Sequence, residues 1–370
     1  MSNEKILYVF GPGRKAKLNE NNYQAKEFFY SYLYFKEKYG AKIIEVNKNT
    51  ENKIGLRKII HFYDRVVVKL TSFPSYAIEL IFNRNIRIYN KSESIIFTSD
   101  ALFLSFLPIA LIFKLLRKPN KNIVITMGLF GKISNNNLEK LFNFMFLKII
   151  LYSSDKFVFL GYGEYLFAKK YFKKHSAKFE YLPFCIDGDF WSSSKTYKKK
   201  GVLFVGNDGK RDFELLKNLT KEMKDISFTL ITNHNLDIIQ DNVKIIKGNW
   251  SSQLLTDEEL RDYYSKSKIT IIPLKESLQP SGQSVALQSI ACKTPIIISE
   301  TSGFWDDKNF ISNFKIQVVK NRDINTWKNI ILDSLANYQE IHLSNENLKN
   351  FYSDYDIERF NLGLEKIISS

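Results

Sequence analysis

The chain has 370 residues, of which 44% are hydrophobic and 15% aromatic. This length and composition predict two globular domains and exclude a disordered or fibrous chain. The formal net charge of +15 has the sign that attracts phosphates and anionic lipid. We expect no nucleic-acid partner, because the sequence has neither zinc-finger spacing nor an aromatic RNA-binding motif. The two cysteines, Cys185 and Cys292, lack metal-site spacing and are typical of a reducing cytosol.

The first half of the chain alternates strand-like apolar runs with segments of helix length. The predicted strands are Ile6–Phe10, Ile43–Val46, Arg65–Leu70, Ile95–Thr98, Asn122–Thr126 and Lys156–Leu160. We predict one helix over Asn22–Tyr39, ending at Gly40, and another over the apolar run Ala101–Leu116. Pro108 interrupts that run, which is too short to cross a bilayer, so we interpret it as a buried helix. The alternative is a helix that lies in a membrane surface.

A second series of strands follows the polar segment 192–200, and we place a domain boundary within 184–200. The predicted strands are Gly201–Val205, Ser227–Ile231, Val243–Ile246, Ile269–Ile272 and Ile296–Ser299, with a helix over Phe213–Lys224 after the first of them. This alternation predicts an α/β fold of two doubly wound domains, each with a parallel sheet between layers of helices. Ligands of such folds bind at the carboxyl ends of the strands.

A turn rich in small residues, Pro280–Ser284, leads from one predicted strand into a short helix. Gly282 permits a tight turn, and Ser284 is the predicted N-cap. The open N–H groups and the dipole of the helix favour an anion there. Gln288 lies one turn further on the face of Ser284, where its amide can reach a hydroxylated neighbour such as a ribose. The alternative is an ordinary capped helix.

A second candidate phosphate loop runs from Val205 to Asp212. It follows the first strand of the second domain and has two cations near its end, Lys210 and Arg211. Arginine can hold a phosphate through two parallel hydrogen bonds. The alternative is a solvated turn. Both candidate loops follow strands of one sheet, so we expect them to meet at the same edge.

The first domain has a glycine loop of its own, Gly11-Pro12-Gly13-Arg14. A dinucleotide site needs an acidic residue about 20 positions further on. Glu45 lies 32 positions after Gly13, and Pro12 removes a donor from the loop. We therefore favour an acceptor-side loop over an NAD or FAD site. The sequence also lacks the P-loop motif of NTPases.

Four segments resemble GT-B glycosyltransferases of family 4, which includes bacterial surface-polysaccharide enzymes. Tyr181–Trp191 is similar to the family's interdomain segment, and Val202–Gly206 followed by Arg211 resembles its donor-phosphate loop. The segment Ile269–Ser299 resembles its strand, turn and helix, and Phe351–Ile368 resembles its C-terminal helix.

This resemblance implies two Rossmann-like domains that face each other across a cleft. Residues 1–186 would bind the acceptor, residues 187–350 the nucleotide-sugar, and residues 351–370 would form a helix that packs back on the first domain. The implied activity moves a sugar from a UDP- or GDP-sugar to a glycan or lipid-linked acceptor in surface polysaccharide synthesis. The resemblance favours retention of configuration, and inversion stays open as the alternative. The implied location is cytoplasmic, at the inner face of the membrane.

The resemblance also implies roles for particular residues. The family's sugar-binding Glu is replaced by Pro280, and we expect Glu276 to supply that carboxylate beside Arg211 in the catalytic site. The histidine that the family often has near the reacting sugar is replaced by Met127. The predicted donor-binding residues are Gly206, Lys210, Arg211, Ser281, Gly282, Gln283, Ser284 and Gln288, and the predicted acceptor-side residues are Gly11, Gly13, Arg14 and Gly128.

The triplet Asp187-Gly188-Asp189 matches the DxD motif that binds metal in another glycosyltransferase fold. It lies in the interdomain segment, so we assign it a structural role and expect no metal and no cofactor. Two alternatives stay open from the sequence. One is a catalytically degenerate module that binds a glycan or a partner, and the other is a sugar-nucleotide epimerase of the same fold.

Overall fold

The computed structural model describes residues 5–19, 25–46, 57–71, 73–77, 80, 86–131, 137–192, 197–248, 255–304 and 308–370. These residues divide into two compact units. The first lies within 1–22, 29–182 and 361–370, and the second within 23–28 and 183–360. In the described part of the chain, each unit is built on one six-stranded sheet.

All neighbouring strands of the first unit's sheet are parallel, in the order β2-β1-β3-β4-β5-β6. The strands are β1 (Ile6–Phe10), β2 (Lys42–Glu45), β3 (Ser94–Phe97), β4 (Lys121–Thr126), β5 (Lys156–Phe159) and β6 (Phe179–Tyr181). Every residue of β1 and β3 is buried, as expected for strands with helices on both faces of the sheet. The helices are α1 (Arg14–Asn19), α2 (Tyr32–Tyr39), α3 (Arg57–Thr71), α4 (Ile86–Lys91), α5 (Asp100–Leu115), α6 (Asn137–Ser153) and α7 (Tyr162–Tyr171).

The second unit's sheet is also parallel and has the order β9-β8-β7-β10-β11-β12. Its strands are β7 (Val202–Val205), β8 (Phe228–Ile231), β9 (Val243–Ile246), β10 (Ile269–Ile272), β11 (Ile296–Ser299) and β12 (Gln317–Val319). The chain winds outward from β7 in one direction and from β10 in the other, which is the Rossmann order. The helices are α8 (Gly188–Trp191), α9 (Phe213–Glu222), α10 (Asp257–Lys266), α11 (Gln283–Ala291), α12 (Lys308–Asn313), α13 (Ile324–Ala336), α14 (Tyr338–Ile341) and α15 (Asn345–Tyr355).

The last helix, α16 (Ile357–Ser369), returns the chain to the first unit, to which 361–370 belong by their contacts. Glu365 accepts hydrogen bonds there from the Tyr34 hydroxyl at 2.6 Å and from Lys38 Nζ at 2.9 Å. Gly363 lies so close to Leu182 that a Cβ would come within 2.6 Å of it. These contacts attach the C-terminal residues to the unit in which the chain begins.

Most predicted strands are confirmed to within about one residue at each end, but Arg65–Leu70 is wrong because it lies inside α3. Val67 is buried whereas Val68 has 46% of its surface exposed, so neighbouring valines of the run lie on different faces of an amphipathic helix.

The two long predicted helices are also corrected. In place of one helix over Asn22–Tyr39 there is a short 3-10 turn at Glu27–Phe29, then α2, and residues 22–24 lie outside the described part. Tyr30 and Ser31 separate the two with positive φ angles of 47° and 66°. The predicted C-terminal helix is likewise two helices, α15 and α16.

The apolar run 101–116 forms α5, most of which is buried against the sheet of the first unit. Its C-terminal end is an exception, because Leu115 and Leu116 expose 72% and 64% of their surface. Within the described ranges, no helix combines the length and the apolar character needed to cross a membrane.

Candidate functional site

The site begins where the winding of the second sheet changes direction, between β7 and β10. Loop 206–211 follows β7, and loop 273–282 follows β10. The N–H of Lys275 donates to the carbonyl of Lys210 at 2.8 Å, and Arg211 pairs with Leu274 as an isolated bridge. The structure therefore brings the two predicted phosphate loops together. This is the sheet edge at which doubly wound folds bind their ligands.

The side chain of Arg211 lies between two glycines and is only 3% exposed. A Cβ on Gly206 would lie 2.3 Å from Arg211 Nε, and a Cβ on Gly282 would lie 3.1 Å from Nη1. Gly282 also has a φ of +85°, which residues with a side chain rarely adopt. The position of the guanidinium thus depends on glycine at both places.

The described residues satisfy only part of the charge and hydrogen-bonding capacity of Arg211. Its Nε lies 3.3 Å from Asp208 Oδ2, while Nη1 has no hydrogen-bond partner among the described residues. Burial lowers the pKa of Arg211, yet arginine stays charged in proteins. A buried charge with unfilled donors is costly unless an anion completes it. Arg211 is therefore suited to hold an anion with two or more oxygen atoms.

The first turn of α11 borders this guanidinium. The helix begins at Gln283 with Gly282 as its N-cap, so the prediction that Ser284 is the N-cap is wrong. No side chain caps the helix, and the buried Ser281 hydroxyl has no partner among the described residues. Gln283 is buried and Ser284 is half-buried. Uncapped N–H groups and the helix dipole add to the attraction that Arg211 exerts on an anion.

Gln288 is part of a buried network that includes a residue missed by the sequence analysis. Its Oε1 accepts from the Tyr264 hydroxyl at 3.2 Å, and its Nε2 donates to Glu27 Oε1 at 3.1 Å. Trp191 Nε1 donates to the same Glu27 oxygen at 2.8 Å, and burial raises the pKa of Glu27 to about 7. Contact with a ribose stays a prediction for Gln288, since both ends of its amide have protein partners. The only feature of the sequence that could have indicated Glu27 is that it is a single acidic residue next to several aromatic residues.

The other two predicted residues of this edge lie at its rim. The side chain of Lys210 is half-buried, and Glu276 is exposed. Glu276 Oε1 accepts from the N–H and the hydroxyl of Ser302, at 2.9 and 2.5 Å. This pairing ties loop 273–282 to the loop after β11. The sugar-binding role of Glu276 stays a prediction.

In the first unit, the predicted acceptor-side residues Gly11, Gly13 and Arg14 follow β1. Glu45, at the end of β2, accepts hydrogen bonds from the N–H of Gly13 at 2.7 Å and from the N–H of Lys15. The carboxylate therefore occupies the donors that a bound phosphate would need. The preference against a dinucleotide site stays a prediction.

Gly128 follows β4 in the first unit and has a φ of +108°. Its N–H donates to Glu164 Oε2 at 2.7 Å, and the N–H of Met127 donates to Asp100 Oδ2 at 2.8 Å. Burial raises the pKa of Glu164 to about 8, with repulsion from Asp100 as the second cause. Burial likewise raises the pKa of Asp100 to about 6. Sequence analysis missed this carboxyl pair, although it holds the turn where the resemblance expects a histidine.

No group of three or more His, Cys, Asp or Glu side chains that could hold a metal ion occurs in the part of the chain described. Asp187, the first residue of the DxD triplet, accepts from the N–H of Phe190 at 3.4 Å and caps α8. Its geometry is that of a helix cap.

No protein-family model and no curated protein matches the sequence. Solved structures match its fold along the full length. Sucrose-phosphate synthase from Thermosynechococcus elongatus has a TM-score of 0.64 at 12% identity and covers 99% of this chain and 98% of that one. Anabaena HepE, solved in complex with UDP-glucose, has a TM-score of 0.60 at 8% identity, with 98% and 99% covered. A glycosyltransferase from Rickettsia africae has a TM-score of 0.58 at 12% identity, with 100% and 98% covered.

Two parallel six-stranded sheets with flanking helices, matched along the whole chain by these structures, define the fold as GT-B. At such low identity the similarity concerns the fold alone, and the chemistry has to be argued from the site.

Proposed function

We propose that the chain is a glycosyltransferase, similar to those of family 4, that transfers a sugar from a UDP- or GDP-sugar to a glycan or lipid-linked acceptor in surface polysaccharide synthesis. One observation carries the proposal. The guanidinium of Arg211 is buried at the edge of a Rossmann sheet, with an unfilled donor beside the uncapped start of α11. A diphosphate is the ligand that this arrangement fits best.

The site acts chiefly on the leaving group. When the bond between the sugar carbon and the phosphate oxygen breaks, negative charge accumulates on the diphosphate. Arg211 and the first N–H groups of α11 stabilise that charge, and fixed donors of this kind give large rate effects. In retaining transfer the acceptor oxygen forms a new bond to that sugar carbon, and the same phosphate accepts the proton that the acceptor hydroxyl loses. No metal is required in this scheme, because the protein supplies the positive charge.

Other residues are assigned supporting roles. Lys210, Ser281, Gln283 and Ser284 line the diphosphate, and Glu276 binds hydroxyls of the transferred sugar. Gln288 is held in one orientation by Tyr264 and Glu27, which a ribose-binding amide would need. The acceptor is assigned to the Gly11–Arg14 loop and to the turn at Gly128.

The binding test is isothermal titration of UDP and GDP in buffer with and without EDTA. We expect one nucleotide to bind the wild type tightly and with equal affinity in both buffers. Arg211→Ala should lose at least tenfold in affinity, while the exposed Arg359→Ala, with the same loss of net charge, should bind as the wild type does. Equal affinity of Arg211→Ala and wild type would refute the proposed site.

We also propose that the protein associates peripherally with the cytoplasmic face of the membrane. Support comes from the end of α5, where exposed Leu115 and Leu116 are followed by Arg117 and Lys118. Apolar side chains beside cations favour binding to anionic lipid. Flotation with phosphatidylglycerol vesicles should carry the protein at low salt and release it at high salt. The Leu115→Ser/Leu116→Ser variant should float less. Absence of flotation at low salt would contradict this location.

A further inference from the structure

A cavity lies at the opposite end of α11 from Arg211. It has a volume of about 1010 Å³, and all of its described lining residues belong to the second unit. The walls come from the C-terminal end of α11, from segments 197–199 and 265–268, and from the helices α13, α14 and α15. Its volume is at the upper end of the range for small-molecule sites. A single phosphate would leave most of it empty.

The cavity is strongly cationic. Four lysines and one histidine line it, and none of its described lining residues is Asp or Glu. Of Lys199, Lys268, Lys293 and Lys349, none forms an ion pair with a carboxylate among the described residues. Like charges that share one cavity repel each other, and a bound anion would remove that repulsion.

Lys293 is in a backbone conformation that is unfavourable for lysine. It follows the last turn of α11 with a φ of +56°, and its N–H donates to the Ile290 carbonyl at 2.8 Å. Glycine is the usual residue at such a helix end, because residues with a side chain are disfavoured in the left-handed region. The helix dipole favours a cation there and offsets part of that cost. The ammonium is therefore present where the backbone alone favours glycine.

Lys199 is fixed in the wall. Its Nζ donates to Thr294 Oγ1 at 2.6 Å and to the Cys292 carbonyl at 3.4 Å. Burial, with a smaller contribution from the charge of Lys293, lowers the pKa of Lys199 to about 8. The pKa of His342 is also lowered, first by burial and then by the charges of Lys199 and Lys293. The charges of these lysines therefore add up within the same cavity.

Aromatic side chains complete the wall. Lys268 Nζ lies 5.8 Å from the centre of the Tyr338 ring, and the Tyr338 hydroxyl is 3.2 Å from His342 Nδ1. An aromatic ring beside cations offers an apolar surface for the body of a ligand whose charged end contacts the lysines.

We propose that this cavity is a second binding site, for an organic phosphate, with Lys199 and Lys293 on the phosphate and Tyr338 against the remainder of the molecule. The site is separate from the donor site and does not depend on it. The phosphate could belong to a soluble metabolite or to a lipid headgroup, since the lysines recognise the same group in both.

The test is isothermal titration of pyrophosphate in the Arg211→Ala background, which removes the contribution of the donor site. We expect pyrophosphate to bind Arg211→Ala, and the added Lys293→Gly to weaken this binding at least tenfold. The unfolding temperature should be equal or higher, because glycine suits the φ of residue 293. Lys328→Gln, which removes one surface charge on α13, serves as the matched control and should leave binding unchanged.

Phosphatidylglycerol vesicles form the second arm. Vesicle binding is measured with Leu115→Ser/Leu116→Ser added to the Arg211→Ala background, which removes the membrane contact proposed for the end of α5. Loss of the remaining vesicle binding in Lys293→Gly would assign the phosphate to a lipid headgroup, and binding of pyrophosphate without binding of vesicles would assign it to a soluble compound. Two results would overturn the proposal. One is that neither pyrophosphate nor vesicles bind in this background. The other is that Lys293→Gly binds both probes as tightly as its background.

Discussion

Replacement of Glu27 by Gln tests the buried network beneath the site. The carboxyl group is fully buried, and burial raises its pKa from the ordinary 4.5 to about 7. Gln keeps an oxygen that can accept from Trp191 and Gln288, but it cannot ionise. The second oxygen of Glu27 has no partner among the described residues, so the substitution breaks no described hydrogen bond.

The sign of the effect follows from the raised pKa. The folded state retains the proton between pH 4.5 and about 7, where the unfolded chain releases it. The stabilisation is therefore complete below pH 4.5 and is lost as the pH rises through 7. Since one pKa unit is worth about 1.4 kcal/mol, the wild type should lose roughly 2–3 kcal/mol more than Glu27→Gln between pH 5 and pH 8.

Urea unfolding followed by tryptophan fluorescence measures this difference. All four tryptophans lie within 183–360, so the signal reports the second unit. Each protein is compared with itself at pH 5 and pH 8, because this removes any effect of the amide on the free energy of unfolding that does not depend on pH. Glu258→Gln, an exposed substitution on α10, is the control and should follow the wild type. Parallel pH profiles for Glu27→Gln and wild type would refute the assignment of the raised pKa to Glu27.

Three further predictions concern the proposed donor site. Gly206→Ala should weaken nucleotide binding by about tenfold or more, because the new Cβ would lie 2.3 Å from Arg211 Nε and displace the guanidinium; unchanged affinity in a titration would show that this contact is unimportant. Gly282→Ala should lower stability by about 1–2 kcal/mol in urea unfolding, because its φ is +85°, and wild-type stability would contradict the strained geometry. Glu276→Gln should reduce sugar transfer but not nucleotide affinity, whereas Glu258→Gln should change neither; wild-type turnover of Glu276→Gln would eliminate its proposed role.

Much of the fold follows from local patterns. Buried strands such as β1 and β11 are uninterrupted apolar runs between polar turns, and such runs are readily recognised. The valines in 65–70 form a similar run, but they belong to a longer amphipathic helix, so the short window gives the wrong period. The strands β6 and β12 have three residues each, too few for a pattern. Helix breaks at Tyr30 and Ser31 have no glycine or proline to indicate them.

The candidate site also has one part that the sequence predicts and one part that it does not. Loops 206–211 and 273–282 are predictable because each follows a strand of one parallel sheet, and the order of strands makes them meet. The contact of Glu27 with Gln288 joins residues 261 positions apart, and no local pattern encodes it. The pair Asp100 and Glu164 is similar, since its burial depends on the packing of separate helices. Tertiary contacts therefore determine the residues that the sequence analysis missed.

The most direct test of the account is sugar transfer itself. Radiolabelled UDP-glucose and GDP-mannose would each be incubated with the protein and with a bacterial membrane fraction as the source of acceptors, and label in glycan or lipid would be measured. The account predicts transfer from one donor by the wild type, a loss of about 10²–10³-fold in rate for Arg211→Ala, and full activity for Arg359→Ala. Transfer by Arg211→Ala within a few-fold of the wild-type rate would contradict the central claim.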